Sequence, residues 1–284
     1  MRLAFVVPVA TVALVGGMLV GSCDTGDGAA DRGRGTPGQS AARVEPLTVR
    51  VVETLPHDPT AFTQGLEMAH GMLYESTGLA GRSTLRAGRP GAPPAQRAEL
   101  PSPLFAEGIT VVGPKLWQLT WRNGIAIERD ARTLAELRRV PYDGEGWGVC
   151  HQRHRGRLVT TDGTSRLVFR DTRTLEKRGE VAVTADGRPV GRLNELECVG
   201  DIVYANVWPT DRIVRVDADS GDVTGDIDVP PLLSKAERRH TDVLNGIAAV
   251  PGTEQFLLTG KWWPRMFRVS FVPAAAGAAS SPAT

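Results

Sequence analysis

A repeat with a period of roughly 40–50 residues is the feature that most constrains the fold of this 284-residue chain. Five segments share a form in which a polar residue precedes Gly or Glu and then an apolar position: FTQGLEM, FAEGITV, DGEGWGV, RLNELEC and VLNGIAA. The polar residues of these segments are Gln64, Glu107, Glu145, Asn194 and Asn245. Several units of this length are typical of propeller blades.

Each copy of the repeat continues with a turn and a second apolar run. These runs are GMLYESTG, KLWQLTW, GRLVTTDG, DIVYANVW and QFLLTGK, which end at Gly78, Trp121, Gly163, Trp208 and Lys261. Short runs rich in Val, Ile, Leu, Thr and Trp, separated by Gly, Pro, Asp and Asn, indicate strands and turns. We therefore predict an all-β fold, a five-bladed β-propeller, with the polar residues on the innermost strands near the mouth of a central channel.

The two ends of the chain differ in composition from this repeating part. Residues 1–22 carry Arg2, an apolar run and then small residues, a pattern that predicts a secretory signal of the lipoprotein type with Cys23 as the lipidated residue. Residues 23–45 and 272–284 contain few large apolar side chains and predict a disordered tether and tail. The catalytic or binding domain is then 46–271, outside the cell and anchored by lipid.

The balance of charged residues indicates which kinds of partner the protein can bind. Lys and Arg number 33 against 32 Asp and Glu, and no dense basic patch is interleaved with aromatic residues, so we expect no nucleic-acid partner.

Apart from Cys23, the chain has Cys150 and Cys198. An exported protein can join two such cysteines, but two buried thiols fit the sequence equally well.

Eight motifs, in order, resemble the plant-type (papaya-like) glutaminyl-peptide cyclotransferase family, also called the glutamine cyclotransferase family. They are HDPTAFTQGLEM, FAEGIT, LWQLTW, GEGWGVC, LNELE, ANVWPTD, DVLNGIA and LTGKWWP, and together they cover about residues 48–270. The resemblance implies a five-bladed propeller. It also implies conversion of an N-terminal glutamine of a peptide or protein to pyroglutamate, with release of ammonia.

The chemistry of that reaction suggests roles for two charged residues. The attacking α-amine must lose a proton and the leaving nitrogen must gain one, so one positioned carboxyl group can serve both steps. Glu107 matches the catalytic glutamate of the family in FAEG. Charge that develops on the amide oxygen needs a donor, and Lys261 is the candidate, with Asn194 and Gln64 as neutral donors.

Aromatic side chains can hold the glutamine side chain compact and exclude water. Four residues match aromatic positions of the family: Phe62, Trp121, Trp147 and Trp208. Trp117, one register away, is expected in the core.

We expect neither a metal nor an organic cofactor for catalysis. His57, His70, His151, His154 and His240 are scattered and are interpreted as surface or capping residues. Glu145 and Glu195 could bind the α-ammonium of the substrate or help hold a structural cation in the channel. Both are weaker candidates than Glu107.

Two other functions fit a propeller of this composition. One is a metal-dependent lactonase or esterase, in which the polar ring would bind calcium. The other is a non-catalytic module that binds peptides. We expect the protein to act as a monomer.

Overall fold

The computed structural model describes residues 43–275 of the chain. The predicted signal peptide and Cys23 lie outside the described residues, as do most of the predicted tether and tail. Across residues 43–275, no helix combines the length and the apolar character needed to cross a membrane.

Strands make up most of the described chain, which confirms the all-β class. The first half contains β1 Glu45–Pro56, β2 Thr63–Ala69, β3 Met72–Thr77, β4 Thr84–Gly88, β5 Gln96–Glu99, β6 Ala106–Val112, β7 Lys115–Thr120, β8 Ile125–Asp130, β9 Glu136–Pro141, β10 Val149–Gln152 and β11 Arg157–Thr160. The second half contains β12 Arg166–Asp171, β13 Lys177–Ala182, β14 Thr184–Ala185, β15 Arg188–Pro189, β16 Leu193–Val199, β17 Ile202–Val207, β18 Arg212–Asp217, β19 Val223–Asp228, β20 Leu244–Ala249, β21 Gln255–Gly260 and β22 Arg265–Pro273. The short helices are a 3₁₀ turn at Arg153–Arg155 and α1 at Lys235–Arg238.

Consecutive strands pair into antiparallel groups of four, namely β2–β5, β6–β9, β10–β13 and β16–β19. A further group contains β20, β21 and β22, and its fourth strand is β1 from the other end of the chain. Strand β1 pairs antiparallel with β22 and parallel with β19, so the last two groups form one eight-stranded sheet. This arrangement is consistent with a propeller-like fold.

The first strands of the five groups, β2, β6, β10, β16 and β20, contact one another in a closed ring. Gln64, Glu107, Asn194 and Asn245 are each the second residue of such a strand, as the repeat predicts. Neighbouring first strands approach so closely that a Cβ atom on Gly108 would lie 2.5 Å from the carbonyl oxygen of Trp147. We call the place that Gln64, Glu107, Asn194 and Asn245 take in their strands the ring position. Glycine is required directly after the ring positions Gln64 and Glu107 because a side chain there would collide with backbone. Asn194 is instead followed by Glu195.

The prediction of Glu145 as the ring residue of the third group is wrong by two positions. Gly148 packs its Cα against Gly108 and the β16 backbone, in the place that Gly65 and Gly108 take in the preceding groups. The residue before this glycine is Trp147, which therefore occupies the ring position, and Glu145 lies in the loop before β10. The segment DGEGWGV contains three X-Gly pairs, and only the backbone packing shows which of them lies in the ring.

The apolar side chains lie between adjacent groups of strands. Trp117 is fully buried there and donates its indole N–H to the carbonyl of Thr172 at 2.9 Å, which confirms that it belongs to the core. A disulfide between Cys150 and Cys198 joins β10 to β16, with the two Cα atoms 5.4 Å apart. Cys150 and Cys198 are therefore bonded to each other, which the sequence alone could not show.

Candidate active site

Glu107 lies at the end of the strand ring with its side chain buried, and 5% of the residue is exposed. Its Oε1 accepts a hydrogen bond from the Nε2 amide of Gln64 at 2.9 Å. Asn245 donates from Nδ2 to the Thr63 carbonyl at 3.0 Å and lies 3.5 Å from Oε1 of Gln64. These contacts orient the Gln64 amide with its N–H groups toward Glu107. Within residues 43–275, Oε2 of Glu107 accepts no such bond.

Burial raises the pKa of the Glu107 carboxyl well above its usual value, the nearby charge of Lys261 opposes this rise, and Glu145 adds to it. Lys261 follows β21 and is 6% exposed. Burial lowers the pKa of its ammonium, against the charges of Glu107 and Asp242. A carboxyl group whose pKa is shifted upward can both accept and donate a proton near neutral pH. The structure therefore places a buried carboxyl group within the electrostatic influence of the Lys261 ammonium.

Glu145 holds two of the predicted tryptophans in place. Its Oε2 accepts the indole N–H of Trp121 at 2.9 Å and that of Trp147 at 3.1 Å, while Arg122 binds Oε1 at 2.6 Å. Burial raises the pKa of Glu145, but the hydrogen bonds from Trp147, Arg122 and Trp121 outweigh it and lower the pKa. A carboxylate that is stabilised in its charged form by these partners is poorly suited to move protons. Glu145 instead positions Trp121 and Trp147, the first two residues of an aromatic wall.

The remaining aromatic residues extend this wall. The Phe62 ring centroid lies 6.3 Å from that of Phe105 and 4.9 Å from that of Trp262, and Phe105 lies 5.7 Å from Trp121. On the other side, Trp147 and Trp208 meet edge to face at 6.1 Å. The ammonium of Lys261 lies 4.8 Å from the centre of the Phe62 ring. The four predicted aromatic residues are thus linked, by contact or through neighbours, at the end of the strand ring where Glu107 lies, which we call the mouth of the site.

Comparisons with known proteins agree with this geometry. The chain matches the model of a family described as "Glutamine cyclotransferase" over residues 28–271. It is 36% identical over 234 residues to a glutaminyl-peptide cyclotransferase of Arabidopsis thaliana, covering 80% of this chain and 72% of the relative. The crystal structure of Myxococcus xanthus glutaminyl cyclase matches with a TM-score of 0.75 and 35% identity, over 82% of this chain and 100% of that one.

The chain belongs to the glutamine cyclotransferase family. The resemblance noted in the sequence is thereby confirmed, and with it the predicted enzyme class. The family match also decides against the lactonase and the binding module as alternatives.

Asn194 of this cyclotransferase, a predicted neutral donor, is buried in the strand ring with 4% exposed. Its Oδ1 is buried and has no hydrogen-bond partner within residues 43–275. The same is true of Nδ2 of neighbouring Asn206. Buried polar groups are nearly always paired in folded proteins. The unpaired oxygen of Asn194 and the unpaired nitrogen of Asn206 are therefore exceptions among the buried polar groups of this protein.

Glu195 has a structural role in the cyclotransferase. It is fully buried, and its two oxygens accept backbone N–H groups of Leu66 at 3.0 Å and Ile247 at 3.1 Å. These residues belong to β2 and β20, so the carboxyl group of β16 connects three strands of the ring. The alternative roles that the sequence left open for Glu195, ammonium binding or cation binding, are not supported by these contacts.

Histidine and carboxylate side chains do not converge on a metal-binding group within residues 43–275. The interpretation of His57 as a surface or capping residue is wrong, because its ring contacts Glu75 at 2.9 Å and its side chain is 5% exposed. The pKa of His57 is lowered by burial, but the contacts with Glu75 and Trp263 outweigh this effect and raise it.

The sequence analysis did not assign Phe105 or Trp262 to the substrate-binding residues, although the repeat contains a signal for the former. Phe62 and Phe105 both stand two residues before the ring position, in FTQG and FAEG. The signal for Trp262 is weaker, because this residue reaches Phe62 through a backbone turn with a φ of 61°. Such a conformation is not evident from the sequence.

Proposed function

We propose that this chain cyclises the N-terminal glutamine of peptides or proteins, and that Glu107 moves the proton. The observation that carries the proposal is the place of Glu107. It is buried in the strand ring, bonded to Gln64 and influenced by the charge of Lys261. It lies two residues along the chain from Phe105, whose ring contacts Trp121. Loss of water from such a site strengthens every interaction with charge that develops during the reaction.

The reaction forms one bond and breaks another. The free α-amine of the substrate attacks the side-chain amide carbon, and Glu107 takes up a proton from the attacking nitrogen. The carbonyl then re-forms while the bond to the former amide nitrogen breaks. Glu107 returns the proton to that nitrogen, which leaves as ammonia. A side chain that transfers a proton in this way is typically worth roughly 10²–10⁴-fold in rate.

Lys261 stabilises the negative charge that develops on the amide oxygen. Its position beside Glu107 and over the Phe62 ring favours this role. One well-placed donor to an oxyanion contributes about 3–4 kcal/mol. The aromatic wall and the unpaired Oδ1 of Asn194, which can accept a hydrogen bond from the substrate, hold the glutamine side chain in the folded geometry that ring closure requires. The chemistry requires no metal.

We infer that the five groups of four strands are five propeller blades. The closed ring of first strands supports this inference, as does β1, which completes the group of β20, β21 and β22. Pairing of β1 with strands from the far end of the chain leaves the circle without a gap between its first and last units.

We also propose that the protein is exported and tethered to the membrane through a lipid on Cys23, and that it acts as a monomer. The signal-like residues 1–22 support export, and the Cys150–Cys198 disulfide favours an oxidising compartment. One chain supplies every residue of the site, which supports a monomer.

The test is ammonia release from a peptide that begins with glutamine, with a chelator present, against a peptide that begins with asparagine. We expect release from the glutamine peptide above the spontaneous rate, unaffected by chelator, with a pyroglutamyl product by mass spectrometry. If release stops with chelator and returns with added metal, the metal-independent mechanism is wrong. If neither peptide reacts above the spontaneous rate, the proposed activity itself is wrong.

A further inference from the structure

Arg192 takes the place in its group of strands that Phe62 and Phe105 take in theirs. Each of these residues stands two positions before the ring residue, and each accepts on its carbonyl oxygen a backbone N–H from the end of the second strand. The bonds run from Gly78 to Phe62 at 2.8 Å, from Trp121 to Phe105 at 3.0 Å and from Trp208 to Arg192 at 2.9 Å. The repeat thus places Arg192 at the mouth of the active site.

The backbone around Arg192 is firmly held. Its N–H donates to the carbonyl of Gly163 at 2.9 Å, and its φ of 58° lies in the left-handed region. A non-glycine residue rarely adopts this conformation unless the surrounding structure imposes it. The side chain therefore leaves the backbone from a defined point between Trp147, which packs on Gly163, and Trp208.

The guanidinium of Arg192 lies 5.3 Å from the centre of the Trp208 ring. Within residues 43–275 it forms no ion pair, whereas Arg122 on the other side of the wall is neutralised by Glu145. Asp162, close to Gly163 in the chain, accepts bonds from Thr164 in its own turn. Arg192 is therefore an exposed cation beside Trp208, and its five guanidinium N–H donors have no acceptor among the described residues.

We propose that Arg192 binds a carboxylate of the substrate next to the reacting glutamine, and so sets a preference for acidic substrates. This inference rests on the proposed function and names the specificity of the same site. The glutamine side chain enters toward Glu107, so the following residue remains at the mouth, where Arg192 lies. The carboxylate has two sources: the side chain of Asp or Glu at the second position, or the C-terminal carboxylate of a glutaminyl dipeptide. A guanidinium binds either one through two parallel hydrogen bonds.

The experiment compares four substrates: Gln-Gly as the free acid and as the amide, and Gln-Glu-Gly-amide with Gln-Ala-Gly-amide. The first pair tests the C-terminal carboxylate and the second tests the side chain. Each substrate is assayed for ammonia release by the full chain, by Arg192→Gln and by Arg192→Lys. Arg132→Gln is the matched control because it removes the same charge from an exposed turn after β8, at the end of that sheet remote from Trp121.

We expect Arg192→Gln to lower kcat/KM about three- to fivefold for the carboxylate substrates, the size of an exposed ion pair. The loss is in KM, shrinks as salt is raised and is absent for the two neutral substrates. Arg192→Lys keeps part of the preference because it keeps charge without the planar fork. Arg132→Gln changes nothing.

Two results would overturn the inference. If Arg192→Gln lowers the rates of charged and neutral substrates by the same factor, Arg192 only supports the loop. If it lowers none of them, the substrate carboxylate does not reach it. Both results leave turnover by the unaltered chain intact. A chain that turns over none of the four substrates contradicts the proposed function instead.

Discussion

Glu107 and Glu195 are both buried glutamates near the start of an inner strand, but different groups hold their carboxyl oxygens. Glu195 accepts backbone N–H groups on both oxygens, from two other strands of the ring. Glu107 accepts one side-chain amide on one oxygen and has Lys261 near it. Burial raises the pKa of both carboxyl groups.

The difference shows that burial alone does not identify a catalytic carboxylate. A carboxyl group bonded on both sides to backbone amides has no oxygen left for substrate and cannot move without breaking the contact between strands. A carboxyl group with one free oxygen, a side-chain partner and a nearby cation can exchange a proton. The predictions below test this distinction, from the largest expected effect to the smallest.

Replacement of Glu107 by Gln removes the proton carrier and keeps the shape of the side chain. We expect the rate of ammonia release to fall by roughly 10²–10⁴-fold. The free energy of unfolding in urea stays the same or rises, because the variant no longer buries an ionisable group. A variant that unfolds more easily and keeps its rate would reverse the roles assigned to the two glutamates.

Replacement of Lys261 by Met removes the cation beside Glu107. We expect kcat to fall by about 10²–10³-fold, as for loss of one oxyanion donor. Because Lys261 opposes the upward shift in the pKa of Glu107, the acidic limb of the kcat/KM profile moves to higher pH.

Lys177→Met is the control for this change, since Lys177 lies exposed on the outer strand β13. A profile that moves to lower pH in Lys261→Met would contradict the assigned interaction.

Replacement of Glu195 by Gln should affect stability and spare catalysis. The amide offers one acceptor where Leu66 and Ile247 need two, so one buried N–H loses its partner. We expect the free energy of unfolding to fall by about 1–3 kcal/mol, with the rate per folded molecule within twofold of the original. Chemical denaturation and active-site-normalised assays measure the two quantities. An inactive variant of full stability would show that Glu195 takes part in the reaction.

Glu67, on the same inner-strand ring, tests the pH dependence of stability. Burial raises its pKa to about 7, against its hydrogen bond from the Val111 amide. Because the folded pKa exceeds the unfolded one, the contribution of Glu67 is full below about pH 4.5 and is lost as the pH rises through about 7.

Glu67→Gln should therefore remove part of the decline in the free energy of unfolding between these two pH values, on the order of 1–3 kcal/mol. Urea titrations at a series of pH values measure it, with exposed Glu254→Gln as the control. An equal decline in both variants would assign the pH dependence to other groups.

Part of the site could be read from the sequence because the repeat places equivalent residues in equivalent positions. Gln64, Glu107 and Asn245 stand at the same point of three repeat units, so a closed arrangement of those units must bring them together. The same logic explains Phe105, which follows the pattern of Phe62, and Arg192, whose position the repeat indicates although its chemical type differs.

The role of Glu145 could not be obtained in this way. Three X-Gly pairs follow one another in DGEGWGV, and only close backbone packing at Gly148 identifies Trp147 as the ring residue. Glu145 accepts hydrogen bonds from the indole N–H groups of Trp121 and Trp147, which adjoin strands of two different sheets.

The sequence by itself determined the strand repeat, the polar positions of the inner strands and, through its motifs, the family. These features depend on the local alternation of apolar and polar residues and on the spacing of motifs along the chain, both of which can be read without knowing the fold. The tertiary structure alone decided the pairing of β1 with β19 and β22, the Cys150–Cys198 bond and which buried glutamate keeps a free oxygen. Each of these depends on distances between residues far apart in the chain, and such distances are set only when the strands pack together.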